Sequence, residues 1–469
     1  MELYAQPNLW LNDPRLLYHE GIYYLFHLQG PRDLPKPPYE EMALATSTDL
    51  LNWQTHPLLL KPGAPGEWDD VAIYTSGYIH HEGRFYTLYT GLGSAEQGRV
   101  QRIGLASSTD LVEWERHPAN PVLEADPHWY EADPDDAPTY NHVGWRDPWL
   151  WQHPDDGMFY AFITARENHG PGETRGCIAL AKSIDLIDWE CLPPCYAPQT
   201  ERDHEVSELI PYRGKWLIIF GSYSFGLGMR YIVSDDPLQW DSGDLGKPIL
   251  GSEALMEYSL TTAPAVHGEG RDAVHLVYEW HPDHPDHPRV RGRVALPKTL
   301  AGDFDDIHLR MRDDIAPCPD CCMSLDDMRQ CGAGPWLVQG SAISLTMKGS
   351  ATVPVAGRGA RTVSARISAG DGSAGGFVLG DGEMSVMLHG DGRLVATTTA
   401  AAGERVWEVG PEGELALALV DRHAEVYFER RYLGTLCALT FGDKQAALRT
   451  DGDGTCEIGE VGVRPIPLS

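Results

Sequence analysis

The sequence predicts an all-β protein in which a five-bladed β-propeller is followed by a C-terminal β-sandwich. Its apolar runs are short, rich in β-branched and aromatic residues, and bounded by glycine, aspartate and proline, which is typical of strands. A strand-and-turn segment recurs through the first 300 residues or so, and the composition then shifts to alanine, glycine, valine and threonine. Together these observations predict the two architectures.

The recurring segment reads Ser-x-Asp-Leu-x-x-Trp with small variations. Its four copies are 45–53, 106–114, 181–189 and 232–240, and each follows a glycine-led aromatic strand; a fifth such strand begins at Arg271. Repeats of this size, each forming a small antiparallel sheet, predict one propeller blade apiece and therefore five blades. The aligned aspartates are expected to be structural, because Asp and Ser side chains accept hydrogen bonds from nearby backbone amides in turns. These residues are Asp49, Asp110, Asp185 and Asp236.

Domain boundaries follow from where the repeat stops. Residues 1–312 are predicted to form the propeller, 313–335 a linker rich in cysteine and polar residues, and 336–469 the sandwich. The last region contains short alternating strands such as 362–367 and 415–420, separated by glycine-aspartate turns. The sandwich is expected to brace the propeller, and homo-oligomerisation through it stays open.

Composition narrows the class of function. A chain of 469 residues with 42% hydrophobic content is long enough for two or three domains with sizeable cores. The net charge of −31 disfavours nucleic acid and anionic membranes as partners. The N-terminal residues show neither a signal peptide nor a membrane span, and nine cysteines form no regular framework, so a cytoplasmic protein with reduced thiols is expected. The 14 Trp and 20 Tyr residues suit a carbohydrate partner.

Three acidic motifs lie far apart in the chain but at equivalent places in the repeat. Asp13, Asp147 and Glu205 each precede the glycine-led strand of a different blade, and proline follows the first two. The innermost strands of a propeller surround a central channel, so these carboxylates are expected to face one cavity. Converging carboxylates are what acid-catalysed glycosidic cleavage requires.

With these motifs the chain resembles glycoside hydrolase family 32, the enzymes that cleave sucrose and fructans. Asn12, Asp13 and Pro14 match the family's "WMNDPNG" motif, which carries the nucleophile. Arg146 and Asp147 match its "RDP" motif, whose aspartate stabilises the transition state, and Glu205 falls where its "ECP" motif carries the acid/base. The resemblance implies a propeller joined to a sandwich, no cofactor or metal, and cleavage of terminal β-fructofuranosides by a retaining mechanism.

The resemblance also implies a set of sugar-binding residues. Residues 74–77, which follow Trp68 and Asp70, look like the family's "FSGS" segment, and Gln29 lies one place after the position of a usual sugar-binding glutamine. Aromatic platforms are further candidates, including Trp145. The substrate-binding candidates are Trp10, Asn12, Gln29, Trp68, Asp70, Thr75, Ser76 and Arg146.

Several residues depart from the family pattern. Arg15 and Leu16 replace the Asn-Gly that usually follows the first motif, Val206 replaces the cysteine of the third motif, and Glu208 replaces an aspartate. Glycoside hydrolase families 43 and 68, which are related five-bladed propellers, are therefore considered beside family 32. An inverting arabinofuranosidase or xylosidase, a sugar-binding propeller that has lost catalysis, and a protein-interaction propeller are the alternatives.

Three other features have simpler interpretations. The spacing of Cys318, Cys321, Cys322 and Cys331 is similar to a zinc site, but no second cluster follows, so free thiols are expected. The histidine-proline stretch 281–288 is interpreted as a solvated loop. The glycine-rich stretch 170–176 lacks the lysine of a phosphate loop and is interpreted as a rim loop near the site.

Overall fold

The computed structural model describes most of the chain. The ranges described are 3–6, 9–31, 41–135, 142–223, 228–251, 257–265, 270–278, 292–316, 337–339, 342–348, 351–355, 359–398, 403–421, 423–437, 446–452 and 454–468. The four cysteines of residues 318–331, the stretch 281–288 and most of the predicted linker lie outside these ranges, so the predictions made for them stay predictions. Among the residues described, no helix is long and apolar enough to cross a membrane.

The chain divides into two compact units. One, here called the propeller unit, contains Tyr4–Ala295 and Gly302–Ile307. The other, the C-terminal unit, contains Met1–Leu3, Leu296–Ala301 and His308–Ser469. Both are built almost wholly from antiparallel strands, as the sequence predicts.

The propeller unit contains four four-stranded antiparallel sheets and the strands of a fifth, each in chain order from its innermost strand outward. The strands are β1 (Leu9–His19), β2 (Ile22–Pro31), β3 (Glu41–Ser47) and β4 (Gln54–Thr55); β5 (Ala72–His81), β6 (Arg84–Leu92), β7 (Gln101–Ser108) and β8 (Glu115–Arg116); β9 (Trp145–Gln152), β10 (Phe159–Arg166), β11 (Gly176–Ser183) and β12 (Trp189–Tyr196); β13 (Glu205–Tyr212), β14 (Lys215–Ser222), β15 (Gly228–Ser234) and β16 (Lys247–Leu250); and β17 (Glu257–Pro264), β18 (Arg271–Tyr278) and β19 (Gly292–Val294).

These sheets form a closed ring of five blades. Strand β1 contacts β5, β5 contacts β9, β9 contacts β13, the fourth sheet contacts β17, and β17 contacts β1. Large apolar side chains fill the spaces between blades: Trp145, fully buried, lies against Tyr130 with ring centroids 5.0 Å apart. The five-bladed propeller predicted from the repeat is therefore confirmed.

The repeated Ser-x-Asp turns have the structural role that was predicted. In the third copy, the Ser183 hydroxyl accepts hydrogen bonds from the amides of Asp185 and Leu186, and the Asp185 carboxylate accepts from the amides of Ile187 and Asp188. Leu186 has a φ of 69°, a left-handed conformation that these bonds compensate. The Trp189 indole donates to the Leu186 carbonyl and closes the turn.

The C-terminal unit consists of two antiparallel sheets, consistent with a β-sandwich. One sheet has the order β20-β21-β32-β31-β30-β25-β34-β23-β22 and the other β24-β33-β26-β27-β28-β29. Their strands are β20 (Lys298–Ala301), β21 (His308–Met311), β22 (Leu337–Gln339), β23 (Ala342–Lys348), β24 (Ala351–Val355), β25 (Arg361–Ala369), β26 (Ser373–Leu379), β27 (Met384–His389), β28 (Arg393–Thr398), β29 (Gly403–Glu408), β30 (Glu412–Val420), β31 (His423–Phe428), β32 (Arg431–Cys437), β33 (Ala446–Gly452) and β34 (Thr455–Pro465).

Candidate active site

The innermost strand of every blade is interrupted by a β-bulge at a similar point. The pairing register shifts between Asn12 and Arg15 in β1, between Tyr74 and Ser76 in β5, and at Asp147 and Pro148 in β9. It shifts again between Glu205 and Glu208 in β13 and between Tyr258 and Thr261 in β17. A bulge re-aims side chains that a regular strand would place on alternate faces, so five blades each present residues at one level.

The bulges hold non-glycine residues in the left-handed region. The φ angles are 41° at Asp13, 57° at Asp147, 48° at Val206 and 54° at Ser259. Such conformations cost roughly 1–3 kcal/mol each and persist only where the surrounding structure enforces them. Four of them within one group of contacting residues therefore indicate a functional site.

Asp13 is held by hydroxyl groups from two other blades. The Thr75 hydroxyl donates to Oδ2 at 2.8 Å, and the Ser259 hydroxyl donates to Oδ1 at 3.0 Å. One donor comes from the β5 bulge and the other from the β17 bulge. The carboxylate is therefore fixed in orientation by both of its oxygens.

Asp147 is buried in a dense set of contacts. Its Oδ2 accepts hydrogen bonds from the Thr164 hydroxyl at 3.0 Å and from the Val206 amide at 3.4 Å, and it lies 3.4 Å from Nε of Arg146. The Asp147 amide donates to the Thr90 hydroxyl at 3.1 Å. Burial raises the pKa of the Asp147 carboxyl to about 6, the charge of Asp13 adds to this effect, and that of Arg146 opposes it.

The raised pKa of Asp147 predicts a gain in stability when its charge is removed. The folded-state pKa lies above the ordinary value of 3.8, so the folded protein binds this proton more tightly than the unfolded chain. That stability is fully present below about pH 4 and is lost as the pH rises through about 6. We expect Asp147→Asn to raise the free energy of unfolding at pH 7 by about 3 kcal/mol, measured by urea unfolding, with the difference disappearing near pH 4.

Asp185→Asn is the matched control for this measurement. Amide hydrogen bonds from Asp188 and Ile187 lower the pKa of the Asp185 carboxyl, so the same chemical change should destabilise the protein at pH 7. Equal effects of the two substitutions, or no dependence on pH for Asp147→Asn, would contradict the expected cost of burying the Asp147 charge.

Glu205 binds one guanidinium and two phenols. Arg146 donates to Oε1, and the hydroxyl groups of Tyr223 and Tyr258 donate to Oε2, the latter at 3.1 Å. The Tyr258 phenol can reach this place only because position 221 is glycine, since a Cβ there would lie 1.8 Å from the phenol oxygen. Gly221 is therefore required for the environment of Glu205.

Arg146 connects the acidic residues electrostatically. Its guanidinium contacts Asp147 and Glu205, and Nη2 lies 3.6 Å from Asp203. Asp203 also pairs with Arg166 and Arg202, and the charges of Arg146, Arg166 and Arg202 hold its pKa well below the usual range despite burial. The carboxylates are thus balanced by fixed cations rather than by solvent.

The structure brings together the three acidic residues that the sequence singles out, and with them Thr75 and Arg146. Asn12 on β1 and Gln29 on β2 are both buried. In the pairing of these two strands, Asn12 lies opposite Leu28 and Gln29 lies opposite Leu11. No finding tests the assignment of individual roles, so these assignments stay predictions.

Other candidates lie in different surroundings. The Trp10 ring packs over Gly30, where an added Cβ would lie 2.5 Å away, and the Trp68 ring packs over Gly91 and Gly104 in the same manner. The Ser76 hydroxyl donates to the Tyr78 phenol oxygen at 2.7 Å. These contacts, like the burial of Trp145, show how the candidates pack in the blades, and their assignment to sugar binding stays a prediction.

Asp70 caps a loop. Its carboxylate accepts hydrogen bonds from the amide of Gly66 and from both the amide and hydroxyl of Ser94. These hydrogen bonds give Asp70 a structural role in the loop. Its assignment to substrate binding stays a prediction. Among the residues described, no cluster of three His, Cys, Asp or Glu side chains could hold a metal ion.

Sequence reasoning missed the residues that orient the carboxylates. Thr90, Thr164, Ser259, Tyr223 and Tyr258 carry hydrogen bonds to the site but form no recognisable motif. One pattern in the sequence could have indicated two of them, because Thr90 and Thr164 lie in runs whose other residues are almost all apolar or aromatic. In the structure both threonines are fully buried. A threonine at such a position needs a buried hydrogen-bond partner.

Known sequences resemble this chain over its first half. Residues 4–233 match the glycosyl hydrolases family 32 N-terminal domain. A beta-fructofuranosidase of Arabidopsis thaliana, insoluble isoenzyme CWINV1, is 30% identical over 201 residues, which are 40% of this chain and 30% of that protein. A raffinose invertase of Escherichia coli is 28% identical over 191 residues, 39% of this chain and 35% of that protein. The chain thus spans about a third of the length of these relatives.

Comparison with solved structures supports the fold. A sucrose-6-phosphate hydrolase of Lactobacillus gasseri superposes with a TM-score of 0.72 at 16% identity, covering 100% of this chain and 93% of that one. A beta-fructofuranosidase of Bombyx mori, solved as a mutant in complex with sucrose, gives 0.71 at 18% identity, covering 99% and 93%. At this identity the likeness concerns the fold alone.

Proposed function

We propose that this protein hydrolyses terminal β-fructofuranosides such as sucrose or fructo-oligosaccharides, because residues 4–233 match the glycosyl hydrolases family 32 N-terminal domain. The proposed mechanism is a retaining double displacement. Asp13 is the nucleophile, Glu205 the acid/base and Asp147 the transition-state stabiliser. The names of the relatives, a beta-fructofuranosidase and an invertase, support this class of substrate.

In the first step a carboxylate oxygen of Asp13 attacks the anomeric carbon of the fructosyl unit. The bond from that carbon to the glycosidic oxygen breaks, and the proton of the Glu205 carboxyl moves to the departing oxygen. Thr75 and Ser259 orient the attacking carboxylate, which reduces the reorganisation that the step requires. The product of this step is a fructosyl ester of Asp13 and a free alcohol.

In the second step water hydrolyses that ester. Glu205, now ionised, accepts a proton from the water as its oxygen attacks the anomeric carbon, and the Asp13 carboxylate leaves. Two inversions return the original configuration. Asp147 would bind sugar hydroxyls more strongly as positive charge develops on the ring, and a carboxylate suits that task only when ionised. Activity is therefore expected to fall below about pH 6, where Asp147 becomes protonated.

A single observation carries this proposal. Asp147 and Glu205, from two blades, both contact Arg146, and Asp13, from a third blade, lies near enough to raise the pKa of Asp147. Hydrogen-bond donors are directed at each of the three carboxylates. Structural acidic residues elsewhere in the blades, such as Asp110, are instead satisfied by their own turn. The arrangement is that of a preorganised site rather than of scattered surface charges.

The test is turnover with a panel of sugars followed by proton NMR. Sucrose, inulin-type and levan-type oligomers should release fructose, and the anomer formed first should be β, the configuration of the substrate. Release of α-fructose first would indicate an inverting mechanism. Cleavage of arabinosides or xylosides but not of fructosides would favour the family 43 type of activity, and binding without turnover would indicate a sugar-binding protein.

A further inference from the structure

Two residues that depart from the family pattern contact each other beneath the proposed site. Arg15 lies two positions after Asp13, and Glu208 lies three positions after Glu205. Nη1 of Arg15 lies 3.8 Å from Oε2 of Glu208, and both side chains are almost completely buried. Because each replaces a smaller polar residue of the family motif, the two changes together enlarge one buried contact between β1 and β13.

Arg15 also binds the bulge that follows the proposed acid/base. Nη1 donates to the carbonyl oxygen of Val206 at 3.1 Å, and Nη2 donates to that of Ser207 at 3.2 Å. These carbonyls belong to the residues whose register shift re-aims Glu205. Val206, a β-branched residue with a φ of 48°, is an unfavourable occupant of that conformation, so the bulge needs external support.

Glu208 in turn is held by the fifth blade. Its Oε2 accepts a hydrogen bond from the Thr261 hydroxyl at 2.9 Å, and its Oε1 accepts from the amide of Thr262 at 3.0 Å and from the Thr262 hydroxyl at 2.5 Å. Thr261 also accepts the Leu16 amide at 2.9 Å, next to Arg15. The pair therefore ties together the strands that carry Asp13, Glu205 and Ser259.

Stability alone does not explain a buried ion pair at this place. Desolvation of two charges offsets most of their attraction, and apolar residues of similar volume commonly do as well. A guanidinium can, however, donate to two carbonyls and face a carboxylate at the same time because its donors form a planar fork. No apolar side chain supplies those donors to the Val206 and Ser207 carbonyls.

We propose that Arg15 and Glu208 are positioning residues that fix the proton-donating carboxyl of Glu205 relative to the nucleophile Asp13. The inference rests on the proposed function, because it concerns how accurately the acid/base is placed in that reaction. Its consequence is specific. Loss of the pair should impair protonation of the leaving group, and it should leave attack by Asp13 nearly intact.

Leaving-group dependence separates this role from a general structural one. Sucrose needs its departing oxygen protonated, whereas p-nitrophenol leaves as a stable anion from p-nitrophenyl β-D-fructofuranoside. We expect Arg15→Asn and Glu208→Gln to lower kcat on sucrose by about 100-fold, within the range that acid catalysis contributes. On the aryl fructoside the rate of the initial burst of p-nitrophenol should fall only a few-fold, because only the hydrolysis of its fructosyl ester needs Glu205 as a base.

A double-mutant cycle tests whether the two residues act together. Arg15→Asn and Glu208→Asp each convert one position to the residue type of the family motif, and the double variant converts both. We expect the double variant to recover at least ten-fold in kcat on sucrose over Arg15→Asn alone, which is the non-additivity expected for contacting residues. Arg84→Asn is the control, since Arg84 pairs with Glu115 at the same 3.8 Å but on the surface.

Thermal unfolding of every variant accompanies the kinetics. If Arg15→Asn does not fold, Arg15→Lys, which keeps the charge but not the fork, and Glu208→Gln, which keeps the shape, replace it. A burst rate on the aryl fructoside that falls as much as kcat on sucrose, or unchanged kcat on sucrose in folded single variants, would overturn the positioning role alone. Failure of the wild-type protein to cleave either fructoside would instead overturn the proposed function, and the positioning role with it.

Discussion

Asp13→Asn should lower kcat for sucrose by about 10⁵-fold while leaving the protein folded. The amide keeps the size of the carboxylate and can still contact the hydroxyls of Thr75 and Ser259, but it cannot attack the anomeric carbon to form an ester. Removal of a covalent nucleophile commonly costs 10⁴–10⁶ in rate, and the loss expected here corresponds to about 7 kcal/mol of transition-state stabilisation. Steady-state kinetics on sucrose with glucose detection measures it.

Asp110→Asn is the matched control for the nucleophile. It makes the same chemical change in the same unit, at an aspartate whose carboxylate accepts hydrogen bonds from its own turn, namely from the amides of Val112 and Glu113 and from the Ser108 hydroxyl. Its kcat should equal that of the wild type. Substantial turnover by folded Asp13→Asn would remove the double-displacement mechanism, whatever the similarity to other family members.

Glu205→Gln should reduce kcat for sucrose by about 10³-fold and should do so selectively. The glutamine amide has no acidic proton to give to the departing oxygen, so a sugar leaving group leaves as a poor anion. With an aryl leaving group the first step no longer needs the proton, and hydrolysis of the ester then limits the rate. The aryl substrate should therefore show a burst of phenol release followed by slow turnover.

Glu115→Gln, an exposed change at the edge of the second blade, provides the comparison for Glu205. It should alter neither substrate's kinetics, because the Glu115 carboxylate is exposed and pairs with Arg84 at 3.8 Å on the surface. If Glu205→Gln released phenol from the aryl fructoside without a burst, at a rate reduced as much as that on sucrose, the residue would not be the general acid.

Repulsion between the carboxylates of the site is also the reason why removing the charge of Asp147 is expected to stabilise the protein. Asp13, Asp147 and Glu205 are near enough that the charges of the other two raise the pKa of Asp147 beyond the effect of its burial. Arg146 opposes that effect but does not cancel it. The protein therefore holds a carboxylate where folding alone would favour a neutral group, a conflict expected at functional sites.

Much of the molecule was predictable because its signals are local. The Ser-x-Asp turns use hydrogen bonds between residues two or three positions apart, so a short segment contains the whole turn, and its repetition indicates the number of blades. The same regular spacing predicted that Asp13, Asp147 and Glu205 would converge, since equivalent positions in a ring of blades face its axis.

The environment of those carboxylates was not predictable, because it joins residues up to about 250 positions apart. Ser259 reaches Asp13, Tyr258 reaches Glu205, and Arg15 reaches the Val206 carbonyl only when the fifth and first blades close the ring. Ser259 and Tyr258 belong to no periodic pattern and to no short motif. Likewise, a tryptophan that binds sugar and one that packs on glycine, as Trp68 does on Gly91, look identical along the chain.

The sequence by itself determined the architecture and singled out the three acidic residues that lie together, because strand chemistry, turn hydrogen bonds and repeat length are properties of contiguous residues. Only the tertiary structure decided how those groups are oriented, charged and buried. Bulges in five separate strands and the donors opposite them act through distances between blades. Hydrogen bonding and desolvation depend on such distances, and the order of residues along a chain does not contain them.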